Sequence, residues 1–286
     1  MAGTLYICAT PIGNLEDITL RTLRILKEVD LIAAEDTRNS IKLLNHFDIK
    51  TPMTSYHEYN KYDKARVLVE KMLSGMNVAV ITDAGTPAIS DPGEELVKQC
   101  HEAGVSVTSL PGPSAFVTAL TVSGKDTRRF CFEAFLPTEK DDKKERRAIL
   151  DELAKETRTI ILYEAPHKLV KTLEDLLEAL GNRRISLCRE LTKKHEENFR
   201  TTIEEAIDYY RENEPRGEFV LVIEGRSRKD VHEDEVRRFL DMTIPEHVKY
   251  YMDQGMDKKD AMKQAAKDRD MGKRDIYQAL LDEDAE

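Results

Sequence analysis

Strand-length runs of β-branched residues recur along most of this chain, each separated from the next by an amphipathic helical stretch. "TLYICA", "DLIAAE", "NVAVIT" and "VSVTSL" come first, and "RRFCFEAFL", "RTIILYEA", "RISLCREL" and "EFVLVIEG" follow. Segments of helical period lie between them, among them "LRTLRILKEV" and residues 60–74. Apolar runs of ~4–8 residues bounded by turn signals fit buried strands better than helices. Strands spaced by helices of this length predict parallel pairing with right-handed crossovers, an α/β fold.

A chain of 286 residues accommodates two such sheets. The expected division is an N-terminal α/β domain over residues 1–124, a C-terminal α/β domain over 125–226, and a linker with a small helical tail over 227–286. Beyond Gly225 the strand pattern stops, and "SRKDVHEDEV" reads as the linker. In the tail, helices are expected over residues 257–267 and 273–281, with a break near 270–272. Ala261, Ala265, Ile276, Leu280 and Leu281 could form their seam. Helix-turn-helix geometry and a packing or dimer arm both fit that pattern.

No apolar run is long enough to span a bilayer. The start, "MAGTLYICATPIGN", lacks a basic region followed by a sustained apolar stretch, so no secretory leader is expected. Cys8, Cys100, Cys131 and Cys188 lie far apart inside apolar patterns, as buried reduced thiols of a cytoplasmic protein would. The net charge of −10 argues against general adhesion to nucleic acid. Cations nevertheless cluster locally, in "NRRISLCRELTKKHEENFR", "KDDKKERR" and "DKKDAMKQAAKDRDMGKR". Taken singly, each cluster reads as a solvated face.

The stretch "VITDAGTPAISDPGEEL" empties a strand into a loop rich in glycine and proline. Asp91, Pro92 and Glu94 have the chemistry of a helix start: a capping carboxylate, a proline at the first position and acid in the first turn. Residues 83–89 are different, because they sit at the carboxyl end of a parallel strand, where open α/β sheets place ligands. Gly85 permits close backbone approach and Pro87 fixes the turn. "ATPIGNLEDIT" and "LPGPSAF" follow strands in the same way, so three such loops could close over one cleft. Neither G-x-x-x-x-G-K-[ST] nor G-x-G-x-x-G occurs, and no H-E-x-x-H supplies a zinc site. No metal is expected. A pocket of backbone and small side chains suits a ligand with adenine, ribose and amino-acid edges better than a triphosphate.

"LYICATPIGNLEDITLRTL", "AAEDTRNS", "ITDAGTPAISDPG", "LPGPSAFVTAL", "YEAPHKL", "RELTKKHEE" and "RGEFVLVIEG" carry a resemblance across residues 4–225. Together they resemble the ribosomal RNA branch of the tetrapyrrole methylase superfamily, the class III S-adenosylmethionine-dependent methyltransferases. The resemblance implies two α/β domains, a cleft between them holding S-adenosyl-L-methionine, and a homodimer. It also implies methylation of a cytidine ribose 2′-hydroxyl in the decoding region of 16S rRNA, within the small ribosomal subunit. Carried over by motif, Pro11, Ile12 and Gly13 would form the cleft floor. Asp83, Gly85, Thr86, Pro87 and Ile89 would line the cofactor's methionine and ribose side, with Ser114 and Ala115 near ribose and adenine. Leu162, Tyr163, Leu191, Glu218 and Phe219 would form the opposite wall. Ala134 and Thr201 stand where the family usually has glycine, and the second departure is expected to alter a turn.

Methyl transfer to a ribose hydroxyl needs alignment and a group that takes the proton or steadies the oxygen. Glu35 and Asp36, at the end of the second strand, are the favoured carboxylates; Glu164, His167 and Glu190 are further candidates. Arg38, Arg189, Lys193 and Lys194 are expected to grip RNA phosphate, joined by Lys258, Lys273 and Arg274 in the tail. Two other readings stay open from sequence. One is a superfamily methylase acting on a tetrapyrrole or a protein side chain, and the other is a non-enzymatic cofactor-binding module of the ribosome.

Overall fold

A computed structural model of the chain describes residues 1–138, 142–227, 229–231, 239 and 241–283. Most of the expected linker, and Lys140 and Asp141 of the "KDDKKERR" cluster, lie outside them. The chain divides into two compact units, Met1–Ala154 with Arg158–Glu224, and Lys155–Thr157 with Gly225–Glu286. The expected division at 124 falls inside the first unit, between its two sheets.

The first sheet has strands β1 (Thr4–Cys8), β2 (Leu31–Ala34), β3 (Met53–Ser55), β4 (Val78–Ile81) and β5 (Ser106–Leu110), in the order β3-β2-β4-β1-β5. Every pairing is parallel, as the alternation predicted. Helices α1 (Leu20–Glu28) and α2 (Thr37–His46) cover one face through Leu26, Ile32 and Leu44. Helices α3 (Lys61–Leu73) and α4 (Gly93–Glu102) cover the other through Leu5, Leu68 and Leu96. Because all five strands run one way, their carboxyl ends share a single edge.

The second sheet comprises β6 (Phe130–Phe135), β7 (Thr159–Glu164), β8 (Arg184–Arg189), β9 (Glu197–Thr202) and β10 (Phe219–Ile223), ordered β6-β7-β10-β8-β9. Only β6 and β7 pair in parallel. The expectation of parallel pairing is corrected here: β10 lies antiparallel between β7 and β8, and β9 folds back antiparallel on β8. The cause is β9, a polar, half-buried edge strand that has no apolar signature in the sequence and that reverses the chain before α8 (Ile203–Glu212). Thr201 lies inside that strand opposite Ile185 and hydrogen-bonds Glu205, so no turn is disturbed there. Helices α6 (Lys143–Leu153), α7 (Leu169–Leu180) and α8 pack against one face around Leu150, Leu173 and Ile207. The opposite face takes α5 (Ala115–Ser123), whose Ala119 and Leu120 meet Ile161, Val220 and Val222.

The second unit includes, among the described residues, α9 (Ile244–Asp253), α10 (Lys258–Asp268) and α11 (Lys273–Glu283). α9 is an addition to the expected pair; its Thr243–Glu246 capping box was the available signal. Ala261, Ala265 and Ile276 form the predicted seam with Val248, but Leu281 stays exposed. The Arg269 guanidinium ties the unit together, donating to Nδ1 of buried His247 (3.0 Å) and to the Met242 carbonyl (2.5 Å).

Candidate functional site

The three glycine- and proline-rich loops meet at the carboxyl edge of the first sheet. Thr10 and Gly85 exchange backbone hydrogen bonds of 2.9 and 3.0 Å, joining the loops after β1 and β4. The Thr86 hydroxyl donates to the Pro113 carbonyl at 2.9 Å, joining the loops after β4 and β5. Gly85 has φ of +85°, where a side chain would be strained. Ala88 and Ser90 also take positive φ, 66° and 60°, without glycine's freedom. The Asp91 carboxylate holds this turn, accepting from the N–H groups of Ala88 (2.9 Å) and Gly93 (2.7 Å). The expected helix start is thus real, with α4 beginning at Gly93 and Pro92 at the cap rather than inside. Burial raises the Asp91 pKa above the usual carboxylate range, the two N–H donors pulling it back.

The opposite wall is a product of the antiparallel register. Phe219 at the start of β10 pairs with Glu164 at the end of β7 and Arg189 at the end of β8. Glu218 and Phe219 therefore lie level with residues that follow Tyr163 and Cys188, although they stand just before and at the start of their own strand. Beyond β8, Glu190 and Thr192 take φ of 52° and 67°, a second cluster of strained positions. Lys193 Nζ donates to Glu190 Oε1 at 2.9 Å, and Arg189 Nε to Glu197 Oε2 at 2.5 Å. The loops close tightly: a Cβ on Gly13 would come within 2.6 Å of the Lys193 side chain.

Between the two walls lies a cavity of about 530 Å³, within the range of small-molecule sites. Of the predicted cofactor residues, Ile12, Asp83, Gly85, Thr86, Ile89, Ser114, Ala115, Tyr163, Leu191, Glu218 and Phe219 line it. Pro11, Gly13, Pro87 and Leu162 do not; Pro87 is buried behind the loop and Leu162 is fully buried in the second core. Cavity residues that the sequence did not assign to the site include Thr82, Phe116, Phe135 and Gly217, and Asp91, expected only as a helix start, lines it too. Cys188 lines it as well, its thiol pushed up to about 11 by burial, so it is protonated at neutral pH.

The two favoured carboxylates separate. Glu35 lines the cavity and accepts from the Thr82 hydroxyl at 2.5 Å. Asp36 does not line it; its carboxylate caps α2 by accepting from Arg38 N (2.8 Å) and pairs with the Arg38 guanidinium (2.8 Å). Those hydrogen bonds from Arg38 lower its pKa to about 2. Glu164 is not at the cavity. It is buried, receives the Thr172 hydroxyl (2.5 Å) and the Ala165 N–H (2.8 Å), and belongs to a network with Arg146 and Asp175. His167 is exposed in the 3-10 turn Pro166–Lys168, whereas Glu190 lines the cavity. Of the predicted RNA contacts, Arg189 and Lys193 line the cavity, Arg38 and Lys194 are exposed, and Lys258, Lys273 and Arg274 are exposed in the second unit.

Residues 4–207 match the family described as Tetrapyrrole (Corrin/Porphyrin) Methylases. The chain belongs to the tetrapyrrole methylases. Relatives of this methylase named ribosomal RNA small subunit methyltransferase I match it over nearly its whole length. That of Halalkalibacterium halodurans is 50% identical over 275 residues, covering 96% of this chain and 93% of the relative. That of Bacillus subtilis is 47% identical over 277 residues, covering 97% and 94%. The Synechocystis protein is 46% identical over 285 residues, covering 99% of both. Among solved structures, diphthine synthase gives a TM-score of 0.59 at 13% identity, over 78% of this chain and 90% of that one. A cobalt precorrin-4 methyltransferase gives 0.58 at 20% identity, over 77% and 94%. Those two share the methylase fold; the named relatives make this tetrapyrrole methylase a methyltransferase.

Proposed function

We propose that this methylase uses S-adenosyl-L-methionine to methylate the 2′-hydroxyl of a cytidine ribose in the decoding region of 16S rRNA. Its substrate is the small ribosomal subunit in the cytoplasm, and it works as a homodimer. The observation that carries this reading is the name shared by relatives 46–50% identical across almost the entire chain. No feature of the cavity favours a tetrapyrrole or a protein side chain instead.

The residues present suit the cofactor. The loop of residues 83–89 offers backbone groups and little side-chain bulk, while Ile12, Ile89 and Leu191 offer apolar contact. Asp83, Glu190 and Glu218 border the same space, and the cations Arg189 and Lys193 are each paired with a glutamate. This acidic lining favours a ligand bearing positive charge and disfavours a polyphosphate. S-adenosyl-L-methionine, when bound, supplies a methyl group on a positively charged sulfur, an activated donor.

The protein's main task is alignment, for which effective molarities reach ~10⁵ M or more. Glu35 takes the proton of the ribose hydroxyl. Thr82 holds one carboxylate oxygen of Glu35 and leaves the other for the acceptor. Asp36 acts through position, fixing the start of α2 and the Arg38 guanidinium beside it. Arg38, Arg189, Lys193 and Lys194 engage RNA phosphate, and Lys258, Lys273 and Arg274 add contacts from the tail. Phosphate contacts of this kind make affinity fall steeply with salt despite the acidic total.

Transfer of tritiated methyl from S-adenosylmethionine to isolated small subunits, with mapping of the modified nucleotide, tests the proposal. Label on one cytidine ribose is expected. Label on a base, or none on subunits that lack the modification, would overturn it.

A further inference from the structure

Tyr59 is the most exposed aromatic residue of the chain, at 97%, and it stands on backbone that is fixed rather than loose. The segment after β3 is anchored at three points. Tyr56 is buried and donates its hydroxyl to the Pro92 carbonyl at 2.7 Å. Its N–H reaches the Ala34 carbonyl at 2.8 Å. His57 and Asn60 then close the turn on each other, His57 N donating to Asn60 Oδ1 at 2.9 Å. The anchors are the immediate neighbours of two cavity residues, since Ala34 precedes Glu35 and Pro92 follows Asp91.

An aromatic ring stabilises a fold by burying its apolar faces, and Tyr59 buries almost none of its surface. The His57 ring meets it only edge-on, with centroids 6.1 Å apart, so a stacking face stays open. Tyr62, three residues on in the first turn of α3, is 61% exposed. Lys61 sits 5.4 Å from the Tyr62 ring centroid and is paired with Glu58 at 2.6 Å, Arg66 is paired with Asp63 at 3.2 Å, and Lys64 lies between them in the chain. Rings open to solvent with cations between them are the chemistry that receives unstacked bases of a single strand.

Position selects what the ring would stack on. Ser55 pairs with Ala34, and Tyr59 is four residues further along. The Cα atoms of Tyr59 and Glu35 are thus at most about 23 Å apart, a bound set by chain reach and strand spacing. A nucleobase near the acceptor ribose falls within that span.

We propose that Tyr59 is a stacking platform for a nucleobase of the acceptor strand, holding the RNA open while its ribose reaches Glu35. This rests on the RNA reading of the cleft. Stacking on the pinned ring would select single-stranded substrate, because a paired base offers no free face.

The test compares Tyr59→Ala, Tyr59→Leu and Tyr59→Phe in the full-length protein. Methyl transfer to small subunits gives KM, calorimetry gives cofactor affinity, and fluorescence anisotropy gives affinity for a short cytidine-containing oligoribonucleotide. Y59A and Y59L are expected to raise KM and weaken oligonucleotide binding roughly 10–100-fold, the range for losing one base–aromatic stack. Y59F restores most of the loss, and cofactor affinity stays constant throughout. Unchanged KM and oligonucleotide affinity in Y59A would overturn the platform. So would Y59L matching Y59F, or Y59A altering the sedimentation of the free protein, which would make the ring a contact between copies. If wild type fails to methylate subunits, the RNA-methylation reading falls, while the oligonucleotide measurement still decides the platform.

Discussion

The two walls of the cleft are built from different materials. The first sheet contributes shape: the loop after β4 is backbone in left-handed turns at Ala88 and Ser90, locked by the single carboxylate of Asp91. The second sheet contributes charge, through Arg189 with Glu197 and Lys193 with Glu190. The topologies account for the difference. Parallel strands deliver several loops to one edge, and loops can be knitted to each other by main-chain bonds. In the mixed sheet the start of β10 is brought level with the ends of β7 and β8, and side chains must bridge segments that arrive from both directions. One wall is shaped by main-chain bonds and the other by paired charges.

The largest expected effect tests where the chemistry lies between those walls. Glu35→Gln should lower the single-turnover methylation rate by ~10²–10⁴-fold with cofactor affinity unchanged. Asp36→Asn, acting through a cap and an ion pair, should cost less than about tenfold. Equal losses, measured by rapid quench, would return the two residues to equal standing.

Stability should be more sensitive on the charge-built side. Arg146 is 7% exposed and holds Asp175, Thr172 and the Pro137 carbonyl together behind that wall. Arg146→Ala should destabilise by ~3–5 kcal/mol, the cost of leaving a buried partner uncompensated. The lower end is expected, because Lys171 still reaches Asp175 at 2.9 Å. Urea unfolding measures it.

On the shape-built side, Asp91→Asn removes a charge while keeping an oxygen for Ala88 and Gly93. The folded pKa of Asp91 is raised, so its favourable contribution is complete below the unfolded value and lost as pH rises through the folded one. D91N should therefore melt above wild type at pH 7, and the gap should close below about pH 4. A gap independent of pH would mean that geometry, not burial of charge, sets the difference.

The smallest effect concerns strain. Ala134 has φ of 52° beside the β6 bulge, a conformation that favours glycine. Ala134→Gly should stabilise by about 0.5–1 kcal/mol, relief of the left-handed conformation outweighing glycine's entropy. Differential scanning calorimetry resolves a change of that size.

Sequence carried the first wall further than the second. Gly85 and Pro87 advertise the turns they make, since few residues meet those backbone demands. The strands with dense β-branched runs were equally plain. β3 is only three residues long, and β9, "ENFRTT", presents polar groups at an edge, so neither has an apolar signature. Without β9 the direction of β10 could not be foreseen, nor how Phe219 comes level with Arg189. That Glu35 and not Asp36 lines the cavity follows from the pleat at the end of β2, one residue beyond what pattern alone resolves.

The position of β10 also governs how this protein is made. Residues 219–223 form the middle strand of the second sheet, yet they are the last of its strands to leave the ribosome. Until then β7 and β8 have no strand between them, each with an open hydrogen-bonding edge. The first sheet is complete once Leu110 has emerged. During translation a finished half thus waits beside an unfinished one, and a chain halted before Phe219 carries two sticky strand edges and half a cleft.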